Sequence, residues 1–253
     1  MIGNIIVGMR ILAHRGWSGK YPENTMLAFR KAHEIGADGI ELDVHLSKDG
    51  EVMIIHDESL SRTAGIGCLV SEKIRSQLEA ISAGRTKDVE YGFTPIPSLD
   101  EYLSFASSTG MVTNIELKTA PHYYPGIEEK TLELVMRHGC EDRVIFSSFN
   151  WLSIIKMKRL APGIPCGLLI DSPAVDNIGY QIHDIGIEYY HPSFRLLDDA
   201  RVQECHSSGT GINAWTVNDE EGIDRCISWD LSSVITNNPD LAITLRSRRT
   251  ISR

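Results

Sequence analysis

Cysteine is sparse in this chain and never paired by spacing: Cys68, Cys140, Cys166, Cys205 and Cys226 are scattered, odd in number and without a CxxC. That pattern argues against a disulfide framework and against a zinc site, and it makes a reducing cytoplasm the expected compartment. No apolar run approaches the roughly 18 residues of a membrane span, so no stable membrane insertion is expected. The short apolar stretch at residues 5–9 lacks a cationic segment before it and a cleavage-like site after it, so it does not read as a secretory signal. Positive charge is also scarce, with 25 Lys plus Arg against 34 Asp plus Glu and a net charge of −9, which excludes the basic footprint of a nucleic-acid binder. The one cationic cluster, Arg246, Arg248, Arg249 and Arg253, reads as a solvated end. No G-x-G-x-x-G follows the first strand candidate, which removes support for a dinucleotide site.

What is present is a chain of 253 residues, 42% hydrophobic and 23% charged, enough for one sizeable core. Apolar strand candidates at residues 10–14, 39–44, 112–117, 143–147, 166–170, 189–191, 211–216 and 233–236 alternate with helical patterns. Asn24 or Thr25 opens the first helix, Gly36 stops it, and Ser98 to Glu101 form a capping box for another. Alternation of this kind indicates an α/β protein with a parallel sheet under helices. Eight βα units in this length fit a (β/α)8 TIM barrel, a single domain over 1–253, with functional residues expected at the carboxyl ends of strands. A doubly wound open sheet is the alternative. Residues 57–97 break the alternation, hold only one clear helix at 71–81, and read as a small insertion after strand two that caps the barrel mouth.

Near that break lies the sequence Glu41-Leu-Asp43-Val-His45-Leu-Ser-Lys-Asp49-Gly50 followed by an apolar run to His56. If Asp49-Gly50 is a two-residue turn, Lys48 faces Glu51, Ser47 faces Val52, and Asp43 faces His56. Opposed residues share a face with Cβ atoms about 5 Å apart, and Glu41 shares it by parity. Glu116 ends strand three, so three carboxylates are expected together. Each like-charge pair at such separation costs about 3 kcal/mol at an effective dielectric near 20, which calls for a cation. Oxygen donors alone point to one hard divalent ion, Mg2+ or Ca2+. His14, at the end of strand one, and His56 suit general acid and base work near neutral pH. Arg15 and Lys118 supply the positive charge a phosphodiester would need beside those carboxylates. His45 shares the parity of Asp43, but exposure near the turn is its simpler reading.

These residues carry a resemblance. His14-Arg15-Gly16, Pro22-Glu23-Asn24-Thr25, residues 36–44, Lys48-Asp49-Gly50, His56-Asp57, Ile115-Glu116-Leu117-Lys118 and Trp215-Thr216-Val217-Asn218 resemble, in order, the motifs of the glycerophosphodiester phosphodiesterase family. The resemblance implies a barrel with a small insertion after its second strand, using Mg2+ or Ca2+ to hydrolyse small-molecule glycerophosphodiesters to glycerol phosphate and an alcohol. It implies Glu41, Asp43 and Glu116 as metal ligands and His14 and His56 as the acid and base pair. It further implies Arg15 and Lys118 as phosphate-contacting cations, with Trp215 and Phe149 as aromatic walls. Asn24 is expected to cap the first helix, and Asn237 stands where the family often has Asp. A lysophospholipase D type activity and a non-catalytic phosphodiester-binding barrel are the alternative functions.

Overall fold

A computed structural model describes residues 8–87, 91–172 and 176–251. Residues 5–7 of the amino-terminal apolar stretch and Arg253 of the basic tail lie outside the described residues. The strands are β1 (Arg10–His14), β2 (Gly39–Leu46), β3 (Val52–Ile54), β4 (Val112–Leu117), β5 (Val144–Ser148), β6 (Cys166–Ile170), β7 (Tyr189–Pro192), β8 (Gly211–Ala214) and β9 (Ser233–Thr236). The helices are α1 (Met26–Glu34), α2 (Ser61–Ala64), α3 (Arg75–Glu79), α4 (Leu99–Ala106), α5 (Ile127–Arg137), α6 (Trp151–Leu160), α7 (Ile178–Asp184), α8 (Asp199–Ser208), α9 (Glu220–Ser228) and α10 (Pro239–Ile251). Eight parallel strands run in the order β1-β9-β8-β7-β6-β5-β4-β2, and β1 pairs back onto β2 to close the ring. β3 hangs antiparallel on β2 outside that ring. The chain is therefore a TIM barrel, as its alternating pattern predicts, with each predicted ring strand found within two residues of its expected ends.

Alternation along each strand sorts side chains between two environments. Ile40, Leu42 and Val44 of β2, Ile115 and Leu117 of β4, and Phe146 of β5 point outward into the main core under the helices. Glu41, Asp43, Asn114, Glu116, Ser147 and His191 are left for the interior, all buried. Gly167 makes room there, since a Cβ at this position would stand 2.3 Å from His191 Nε2. The same imidazole nitrogen accepts from Asn213 Nδ2 at 2.8 Å, while buried Nδ1 finds no partner among the described residues.

Burial lowers the pKa of His191 to about 3. Its neutral form is therefore retained in the folded chain while the unfolded chain takes up a proton below about pH 6.5. Stability is full above about pH 6.5 and falls as pH drops toward 3, with a loss of about 2 kcal/mol by pH 5 from this residue alone. Urea unfolding of the wild type and His191→Gln at pH 7 and pH 5 measures it. The substitution is expected to flatten the pH dependence, and equal slopes would remove His191 as its source.

The hairpin differs from the expected register by one residue. Val44 lies opposite Ile54, His45 opposite Met53 and Leu46 opposite Val52, so Asp43 faces Ile55 and accepts its N–H at 3.1 Å. The loop has three residues, with Ser47 N–H donating to Glu51 O at 2.9 Å and Gly50 N–H to Ser47 O at 3.0 Å. A two-residue turn of the Asp-Gly type needs positive φ at both positions. Here only Gly50 has it, at 78°. Ser47 Oγ favours the longer loop, donating to Asp49 Oδ1 at 2.6 Å and accepting from Glu51 N–H at 2.9 Å. His56 thus does not reach the mouth as the cross-strand partner of Asp43.

Residues 57–97 carry a small core of their own, formed by Leu60, Val70, Leu78, Ala83 and Ile96 with Met53 and Ile55. β3 consequently sits between two cores, with Val52 and Ile54 facing the main one. The expected helix at 71–81 is shorter, because Lys73 is extended and its carbonyl accepts from Lys48 N–H at 2.8 Å. Helix α3 restarts after Ile74. The basic tail is not wholly solvated either: the Arg246 guanidinium pairs with Asp38 and donates to Met9 O at 2.9 Å, clasping α10 to the start of β1. All five cysteines are free. Among the described residues no helix is long and apolar enough to cross a membrane.

Candidate functional site

β2 brings Glu41 and Asp43 to the mouth on one face, and β4 brings Glu116 beside them, in register with Asp43. One carboxylate oxygen from each of the three lies within 4.8 Å of the others, and all three residues are buried. Burial together with Asp43 and Glu116 raises the pKa of Glu41 well above the ordinary range. Burial and Asp43 raise Glu116 as well, against the opposing pull of Lys118. For Asp43 burial acts upward too, but Lys118, Arg15 and the Asn24 hydrogen bond outweigh it and hold the group well below the usual carboxylate range. The trio is short of positive charge even with both cations present.

Those cations stand where their sequence positions suggest, although their contacts are with the protein. Lys118 Nζ sits 2.8 Å from Glu116 Oε1 and 3.5 Å from Asp43 Oδ1, and the residue is not on the cavity wall. Arg15 adopts a left-handed backbone, φ 56°, which turns its N–H onto Glu41 Oε2 at 3.1 Å and its Nε to 3.3 Å from Asp43 Oδ2. Asn24 is not the helix cap. Thr25 takes that role by accepting from Ala28 N–H at 3.3 Å, and Asn24 donates from Nδ2 to Asp43 Oδ2 at 2.8 Å.

The two histidines flank the carboxylates with different partners. His14 places Nδ1 2.6 Å from Asn237 Oδ1, which also accepts from Ser18 Oγ at 2.9 Å. An amide oxygen only accepts, so His14 carries its proton on Nδ1 and turns a bare Nε2 toward Glu41, 3.8 Å away. Burial, then Arg15, lowers the pKa of His14 to about 4. His56 instead places Nδ1 2.5 Å from Asp57 Oδ1. Arg62 grips Asp57 at 2.6 Å and Glu23 through two 2.7 Å bonds, and Glu23 accepts from Arg15 at 2.9 Å. An alternating chain of charges thus joins the insertion to the loop after β1.

A cavity of about 260 Å³ opens between these groups, with His14, Arg15, Glu41, His56, Glu116, Phe149 and Trp215 on its wall. Trp215 is anchored by Nε1 donating to His191 O at 2.8 Å, and Phe149 meets it edge-on, with centroids 5.6 Å apart. The structure therefore brings seven of the nine expected site residues to one cavity wall and sets Asp43 and Lys118 directly behind it. Sequence reasoning missed Asn24, Asp57, Arg62 and Asn237 as supporting groups, and the turn-exposure reading of His45 is overturned, because it is fully buried. Only Asp57 carried a local signal, its adjacency to His56.

Residues 14–241 match the model of the glycerophosphoryl diester phosphodiesterase family. The chain belongs to this family. It is 35% identical over 237 residues to the glycerophosphodiester phosphodiesterase of Caldanaerobacter subterraneus subsp. tengcongensis, covering 93% of this chain and 96% of that one. It is 37% identical over 240 residues to the enzyme of the same name from Bacillus altitudinis, covering 94% and 98%. Among solved structures, an Oleispira antarctica phosphodiesterase in complex with the product sn-glycerol-3-phosphate superposes with a TM-score of 0.86 at 30% identity, covering 95% and 97% of the two chains.

Proposed function

We propose that this protein hydrolyses glycerophosphodiesters to glycerol 3-phosphate and an alcohol. The observation that carries the reading is that, in a member of this family, Glu41, Glu116, His14 and His56 line one cavity of about 260 Å³. Glu41, Asp43 and Glu116 would hold one divalent cation. The fit rests on the donor set, three carboxylates without nitrogen or sulfur, and on buried Asp43 Oδ1, which has no hydrogen-bond partner among the described residues and only Lys118 Nζ nearby at 3.5 Å. When bound, such an ion supplies positive charge to phosphoryl oxygens.

The remaining roles fall to the chain's own groups. Arg15 adds a fixed cation on the cavity wall. His14, with Nδ1–H held by Asn237, offers Nε2 as the base that takes the proton of the group attacking phosphorus, either water, which yields glycerol 3-phosphate directly, or the glycerol 2-hydroxyl, whose cyclic phosphate a water then opens. His56, its ring held at Nδ1 by Asp57, gives a proton to the departing alkoxide as the P–O bond breaks. Lys118 restrains Glu116 and Asp43. Trp215 and Phe149 form the apolar side of the pocket.

A second reading, cleavage of lysophospholipids, draws support from one feature: Phe149, Trp151 and Leu152 expose 38%, 43% and 75% of their surface near the mouth. The test is release of free alcohol and glycerol 3-phosphate from glycerophosphocholine and glycerophosphoethanolamine, with lysophosphatidylethanolamine as a parallel arm. Release from the glycerophosphodiesters supports the proposal. Release from the lysolipid alone shifts the assignment to it, and release from none leaves a binding barrel.

A further inference from the structure

We infer that His45 and Tyr124 act as a positioning pair that fixes the backbone from which His56 reaches the substrate, an inference that rests on the phosphodiesterase reading above. His56 needs such a device. It lies beyond the last residue of β3, its side chain is 30% exposed, and the sheet ladder has ended one residue earlier with Ile55 N–H on Asp43 O.

Two residues past Asp43 on the inward face of β2, His45 is buried completely. Its Nε2 stands 2.9 Å from the His56 carbonyl oxygen. A carbonyl only accepts, so the proton of His45 is on Nε2, and Nδ1 is free to accept from Tyr124 Oη at 3.0 Å. The two rings meet edge-on with centroids 5.5 Å apart. Tyr124 comes from the connection between β4 and α5, so three separate segments converge on one imidazole.

Asp57 sets the rotation of the His56 ring, and His45 sets where that ring starts. His45 itself is not on the cavity wall, which makes it a positioning residue. Displacing a proton donor by about 1 Å can lower a rate about 100-fold. That loss should appear only when the leaving group needs a proton.

The experiment compares kcat for His45→Leu, His45→Gln and Tyr124→Phe on glycerophosphoethanolamine and on the p-nitrophenyl ester of glycerol phosphate, whose phenolate departs unprotonated. His45→Leu is expected to lose roughly 10- to 100-fold on the first ester and less than about 3-fold on the second. His45→Gln, whose amide nitrogen can reach the Nε2 position, should recover most of the loss. Tyr124→Phe should show a smaller loss with the same dependence on leaving group, and it decides the matter if His45→Leu does not fold. Equal losses on both esters, or none on either, would overturn the inference. A wild type that turns over neither ester overturns the phosphodiesterase reading itself, and this inference with it.

Discussion

His14→Ala and His56→Ala are each expected to lower turnover of glycerophosphoethanolamine by about two to four orders of magnitude, the range for loss of a positioned acid or base. The two losses should differ in kind. His14 faces the cavity with an unprotonated Nε2, because its Nδ1–H donates to Asn237 Oδ1. On the proposed roles its removal takes away the base, and both the ethanolamine ester and a nitrophenyl ester of glycerol phosphate should suffer alike. His56 is held at Nδ1 by Asp57 and is the group proposed to protonate the leaving alkoxide. Its removal should cripple the alkyl ester while largely sparing the nitrophenyl one. A reversed pattern would exchange the two roles, and full activity in both variants would remove the histidines from the mechanism.

Chelation should abolish turnover, and adding Mg2+ or Ca2+ to stripped protein should raise its melting midpoint by several degrees. Three carboxylates with oxygens within 4.8 Å repel one another, at about 3 kcal/mol per ionised pair, and Lys118 and Arg15 offset this only in part. An ion at a hundredfold excess over its Kd stabilises the fold by about 2.7 kcal/mol. For a chain of this size each kcal/mol moves the midpoint by about 2–4 °C. Glu41→Gln gives the sign test. Glu41 is the carboxylate most disfavoured as an anion, so its neutral isostere should leave metal-free stability unchanged or higher while erasing the metal-dependent shift. Scanning calorimetry reads both without reference to activity. Full turnover in EDTA, or an undiminished shift in Glu41→Gln, would refute the carboxylate site.

Several supporting contacts were hidden for a common reason. Glu23 and Arg62 are separated by 39 residues, and Asn237 and His14 by 223, so no local periodicity links them. Asn24 sits beside a helix start, where a capping role is the economical local reading, yet its amide holds Asp43. His45 looked exposed because it lies near a turn, and a connection 79 residues away covers it with Tyr124. Asn237 gives His14 an acceptor without adding a charge to a site already rich in carboxylates.

The alternation of strand and helix signals determined the barrel, and the two-residue period of a strand determined that Glu41 and Asp43 share a face with Glu116 nearby, because both depend on backbone geometry that local sequence sets. The motif series was likewise legible in the chain itself. Only the tertiary structure decided the hairpin register, where one extra loop residue selected by Ser47 and Gly50 moves Asp43 opposite Ile55. It alone decided that His56 arrives from beyond the sheet, that Lys118 braces carboxylates, and that a chain of ion pairs ties Arg15 to Arg62. Such contacts depend on where distant segments come to rest, and that is settled by packing of the whole chain.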